Sequence, residues 1–186
     1  PDWQGRRLNQ VLANTLSCNS QYLRQIMQQY AQGKSDSLAY RLARRNAHNA
    51  DAALSTTLAN MLMEPGHFRK DADMGFRFLV MSHTLLSYLS GLGAHRDTVL
   101  PAEVREQLIE GAGSKIADSI DQIAQGLATK QAVAVQSDEE ETLAGELEQM
   151  PDEIDENQRL VQTQLALICR QLGPLRTLAA HLVKAP

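Results

Sequence analysis

The chain is short of aromatic residues, which make up 4% of its 186 positions. A core without rings must be built from Leu, Ile, Val, Ala and Met. That favours helix packed on helix over a β-sandwich, whose strands draw on β-branched and aromatic side chains. Period-two alternation is missing too, so no stretch reads as a half-buried strand. No apolar run reaches the ~18 residues a membrane-spanning helix needs, and no leader-like segment opens the chain. It begins at Pro1 without Met, the expected mark of a portion cut from something longer. Cysteine is limited to Cys18 and Cys169. Both lie inside apolar helical patterns, where buried thiols in a reducing compartment are the simpler reading than a disulfide.

Motifs for chemistry are equally sparse. Zinc-type cysteine pairs and a phosphate-cradling glycine loop are lacking. A di-metal bundle site requires two Glu-x-x-His motifs on facing helices. The sequence has one such match, Glu64 to His67, and it sits on the helix breaker Glu64-Pro65-Gly66. Ser87 lies one turn from His83, and Asp51 lies near His48, but no nucleophile elbow or oxyanion loop accompanies them. Helix–helix hydrogen bonds are the expected role of these groups. The residues therefore point away from an enzyme: no catalytic residue, metal or cofactor is assigned. No nucleic-acid partner is expected, since the sequence offers no aromatic-plus-basic pattern and no zinc-finger or RNP-like motif.

Hydrophobic residues are 43% of the chain, enough for a core. Charge is unevenly spread behind a net of −4. Ten of the 22 acids fall between Ser137 and Glu156 with no Lys or Arg, so 12 acids stand against 18 Lys and Arg elsewhere. The body is basic and carries an acidic belt. A basic body suits the anionic face of a membrane. The belt, residues 136–151, reads as a mobile linker, with a short helix from Leu143 to Met150 as an option within it.

The most organised stretch is Ala39 to Met61. It lacks Gly and Pro, so helix propensity is high throughout. Ala39, Ala43, Ala47, Ala50, Leu54, Leu58 and Met61 recur at threes and fours and stack on one face. Arg44, His48, Asp51 and Ser55 form a polar ridge at i, i+4, i+7 and i+11, with Arg41 and Arg45 beside it. Two readings of the ridge stand side by side. In one it is a solvated face with a local Asp51–His48 pair. In the other it is a partly buried network in which His83, His95 and Arg96 of the third helix meet Arg44, His48 and Asp51. Such a network would fix helix register more than add net stability. A ridge of this kind could also pair with a small carboxylate ligand, with Arg41, Arg44, Arg45, His48, Asp51, His83, His95 and Arg96 as its candidate residues.

Further helices follow from the same periodicity. A first runs from Asp2 to Gln32 and ends at Gly33; the second runs to about Met63. A third, almost apolar all round and so central, spans Arg69 to Ser90 or Leu92. A fourth starts at Pro101 and continues to about Ala132. The last, Asp152 to Val183, carries the cleanest heptad: Val161, Leu165, Ile168, Leu172, Leu175, Ala179 and Leu182. Pro174 is expected to kink it. That seam also suits self-association into a homo-oligomer. The expected architecture is a single all-α domain over residues 1–186, an antiparallel up-and-down bundle of four to five helices.

Tyr40 to Ala52 (YRLARRNAHNADA), His83 to Tyr88 (HTLLSY) and Leu92 to Arg96 (LGAHR) together resemble fusaric-acid-resistance-like (FUSC) inner-membrane proteins, in the YccS/YhfK branch. The opening Pro1 to Leu8 and Tyr22 to Met27 are similar too, so the resemblance covers roughly Pro1 to Arg96. It implies a C-terminal cytoplasmic domain of a bacterial inner-membrane efflux transporter, some relatives of which export aromatic carboxylic acids. The partner so implied is the transmembrane portion of the same polypeptide. No family residue of known role carries over.

Overall fold

The computed structural model describes residues 3–64 and 69–184. The Pro65-Gly66 breaker, His67 and the opening Pro1-Asp2 lie outside them. Among the described residues every regular element is helical: α1 (Trp3–Gln32), α2 (Leu38–Leu62), α3 (Arg69–Ala94), a short α4 (Ala102–Arg105), a π-helical segment (Glu106–Gly113), α5 (Ser114–Thr129), α6 (Asp138–Glu148) and α7 (Glu156–Lys184). The all-α bundle expected from the sequence is present, with one more substantial helix than expected.

Local chemistry sets the ends. Gly33 takes the left-handed conformation (φ 91°) just past α1, a backbone region that costs glycine little. Ser37 caps α2 by accepting the Tyr40 N–H at 3.3 Å. Side-chain pairs then fix the directions. α1 and α3 run parallel: Asn19 Nδ2 donates to Ser82 Oγ (3.4 Å), and further along Tyr30 Oη donates to the Leu92 carbonyl (2.6 Å). α2 runs against both, with Leu58 beside Gly75 at one end of α3 and Tyr40 beside Gly93 at the other. α5 runs against α1, since Gln10 reaches the Ala128 carbonyl while Arg24 binds Asp118 and Asp121. Gln164, early in α7, lies against Gly91, late in α3, and sets those two antiparallel.

Helices α1, α3, α5 and α7 form the central four, with α2 laid on α1 and α3 and α6 laid on α7. Their core is aliphatic: Leu8, Leu12, Leu16, Leu23, Leu85, Leu89, Ile116, Ile120, Ile123, Leu165, Ile168 and Leu172 are essentially inaccessible. On α2 the residues facing it are Ala43, Ala47, Ala50, Leu54, Leu58 and Met61. Ala39 shares their angular position yet is exposed.

Three expectations are corrected by the structure. The acidic stretch expected as a mobile linker is helical from Asp138 to Glu148. Ser137 caps it by accepting the Glu140 N–H, and four acids in the first turn favour the positive end of the helix dipole. The fourth helix is interrupted by the π-helical segment, which holds Gly111 and Gly113. A Cβ at Gly113 would collide with Met27 of α1, and the wider turn brings Leu108, Ile109, Ala112 and Gly113 all inward. The heptad seam of α7 is wholly buried inside the chain, so it cannot join two folded copies. Pro174, which is exposed, does not break α7; beside it Thr177 Oγ1 donates to the Gly173 carbonyl at 3.2 Å.

Candidate functional site

The first four turns of α2 carry the candidate ridge outward. Arg41, Arg44, Arg45 and His48 are exposed, and Arg41 Nε sits 3.2 Å from the still more exposed Asp36. Exposed pairs of this kind contribute little. Asp51 is different: its side chain is 15% accessible and turned toward α3. There Asp51 Oδ2 meets His83 Nδ1 at 2.9 Å, a bond the ring nitrogen makes as donor to the carboxylate. Asp51 Oδ1 is buried with no partner among the described residues.

The expected α2–α3 network is therefore realised at a single point. Asp51 pairs across the helices with His83, not along its own helix with His48. Arg44 and His48 do not meet His95 or Arg96: His95 is exposed, and Arg96 turns to a different partner. Its guanidinium lies 4.2 Å over the Tyr40 ring, and Nη1 donates to the Gly93 carbonyl at 2.9 Å. One arginine thus stacks on α2 and caps the Gly93 carbonyl near the end of α3. Ser87 is exposed and, among the described residues, makes no hydrogen bond to His83.

Two features escaped the sequence. The first is a tyrosine cluster under the basic face. Tyr22 and Tyr40 meet edge to face, 5.9 Å between centroids, and Tyr30 binds the end of α3 nearby. Burial, with Tyr40 adjacent, pushes the Tyr22 hydroxyl up to about 12. Three of the four tyrosines recur at 22, 30 and 40, a spacing that offered the only signal. The second is an ion pair at the other edge. Arg176 of α7 and Glu140 of α6 are both almost fully buried, and Arg176 Nε lies 2.8 and 2.7 Å from the two carboxylate oxygens. Arg170, exposed, adds bonds to Glu141 and Glu148. Arg176 stands four residues past Leu172, on the apolar face of the heptad, which is the sign of a buried charge.

Cys169 lies beside this pair, donating to the Glu140 carbonyl at 3.5 Å. Both cysteines are free; Cys18 is half-buried. Burial first, and the negative charge of Glu140 second, raise the Cys169 thiol from 9.0 to about 12. The sign of the consequence follows. Unfolded, Cys169 and Tyr22 ionise near 9 and 10; folded, they stay neutral to about 12. Between those limits the native state holds more protons, so stability falls as pH rises. Urea midpoints are expected to decline from about pH 9 upward, and Cys169→Ala is expected to remove the earliest part of that decline. An unchanged pH profile in the variant would contradict the assignment.

Among the described residues, no group of three His, Cys, Asp or Glu side chains comes together to hold a metal. A groove of about 530 Å³ lies between α5 and α6, lined by Lys115, Asp118, Gln122, Asp138, Glu139 and Glu146 among others. It is remote from α2 and predominantly acidic. Among the described residues no helix is long and apolar enough to cross a membrane.

Fold and site define an all-helical bundle whose basic helix α2 and acidic helix α6 lie on separate edges. No family model matches the chain, and no solved structure matches it. It is similar to inner membrane protein YccS of Escherichia coli (strain K12), 33% identical over 187 aligned residues, covering all of this chain and 25% of that protein. An uncharacterized protein of Haemophilus influenzae is 44% identical over 111 residues, 60% of this chain and 16% of its own length. Uncharacterized protein ORF2 of Neisseria gonorrhoeae is 33% identical over 94 residues, half of this chain and 22% of its own length. The chain thus spans about a quarter or less of each of these relatives. The likeness to YccS supports a place among YccS-like membrane proteins, and it continues beyond Arg96, where the motifs alone had stopped.

Proposed function

We propose that this chain is the C-terminal cytoplasmic domain of a fusaric-acid-resistance-like inner-membrane efflux transporter, serving assembly or regulation and not catalysis. The observation that carries the reading is the whole-length likeness to one quarter of an inner membrane protein. Two further features support it. On one edge Arg44 and Arg45 are exposed and, among the described residues, have no carboxylate partner. His83, Asp51 and Ser87, the residues nearest to a catalytic set, lack an aligned nucleophile. The test is fractionation of cells making the full-length polypeptide. Recovery in the inner-membrane pellet is expected, and deletion of this domain is expected to leave insertion intact while lowering export of aromatic acids. Recovery in the soluble fraction with no membrane pool would overturn the reading.

A further inference from the structure

The outward face of the start of α2 is chemically unusual. Leu38 is 61% and Leu42 is 45% exposed, one turn apart. Arg41 and Arg45, also one turn apart, share that face, and Arg44 flanks it. Lys34 is exposed in the turn that enters the helix. From Leu38 to Ala50 the helix contains no acid; the first one, Asp51, is turned inward to His83. Among the described residues Arg44 and Arg45 have no carboxylate partner, and the partner of Arg41 is the exposed Asp36.

The opposite charge sits elsewhere. α2 packs on α1 and α3, whereas the acidic α6 packs on α7. The molecule therefore has a basic, leucine-bearing edge and an acidic edge.

We propose that the Leu38–Arg45 face of α2 docks on an anionic phospholipid surface. Leu38 and Leu42 enter the headgroup boundary, as the apolar face of an interfacial helix does. Arg41, Arg44 and Arg45 lay their stems along it and keep their guanidiniums at the phosphates. Repulsion of α6 from the same surface sets the orientation, with the acidic edge away from the lipid. The docking rests on the charge and exposure of this face and not on the transporter reading. Either can fail alone: vesicle binding by a chain whose full-length form is soluble would leave the docking standing, and a membrane-embedded full-length form whose domain ignores vesicles would leave the transporter reading standing.

The experiment is flotation of the 186-residue chain with vesicles of phosphatidylglycerol and phosphatidylethanolamine, at low and high salt, against vesicles of phosphatidylcholine. Binding is expected to the anionic vesicles alone and to weaken with salt. Replacing Arg41, Arg44 and Arg45 together by Gln is expected to lower partitioning on the order of 100-fold. Leu38→Ser with Leu42→Ser is expected to lower it roughly tenfold. The pair Arg77→Gln and Lys115→Gln, exposed charges elsewhere, is expected to change it less than about threefold. Circular dichroism checks that each variant is folded. Failure of the unaltered chain to float, or flotation of the triple arginine variant equal to it, overturns the proposal. So does self-association in sedimentation that the triple variant abolishes without any vesicle binding, which would give the face to the acidic α6 of a second copy.

Discussion

Arg176→Ala is expected to cost about 3–5 kcal/mol of stability, because it strands a buried carboxylate. For a chain of this size that lowers the thermal midpoint by roughly 6–20 °C. The argument rests on burial: the side chains of Arg176 and Glu140 are 7% and 8% accessible. With the guanidinium gone, Glu140 keeps its desolvation and loses its counter-charge. Replacing both partners, Arg176→Met with Glu140→Leu, is expected to restore most of the loss, since a matched apolar pair of similar volume is often neutral or better. Urea denaturation of the two single variants and the double variant measures the coupling. Single losses below about 1 kcal/mol would mean that water reaches the pair and that α6 is not clipped to α7 as described.

Leu172→Ala is the second large effect, expected at about 2–5 kcal/mol. Leu172 is fully buried at the middle of the α7 seam, with Ile168 and Leu175 equally buried on either side. The surrounding packed side chains relax only partly into the space left there. Leu42→Ala, by contrast, truncates an exposed side chain and is expected to change stability by less than about 0.5 kcal/mol. The contrast separates two uses of one heptad. A seam at an interface between copies would make Leu172→Ala weaken association and leave the monomer nearly as stable. A seam in the core makes it destabilise the monomer at every concentration.

The helices were legible in the sequence because the signal for them is local. Threes and fours of aliphatic residues in α7 and α2 gave their buried faces almost residue by residue. Ala39 shows where that signal stops: periodicity gives an angle on a helix but not whether a neighbour extends far enough to cover it. α6 was misread for a related reason. Its composition is that of a solvated chain, and to the local Ser137 cap the fold adds a distant partner, Arg176, 36 residues away from Glu140. The ridge divided along the same line. Its exposure could be read either way from spacing, and Asp51 has a local candidate in His48 and a distant one in His83. The distant one won because burial of Asp51 at the α2–α3 contact demands a partner from the facing helix. Arg96 sits where a cation meets the exposed carbonyls at the end of the third helix, and it binds the Gly93 carbonyl there, but it does not join the polar ridge. Its guanidinium stacks on Tyr40, a contact that spacing along the helices does not reveal.

The measurement that tests the account most directly is the sidedness of this domain in the full-length protein. A single cysteine placed at the exposed Glu139 of α6, the edge turned away from the lipid, with every native cysteine replaced, is challenged with a membrane-impermeant maleimide. Labelling in inverted inner-membrane vesicles and none in intact spheroplasts is the predicted result. Labelling from outside intact spheroplasts, or loss of the domain to the soluble fraction, would contradict it.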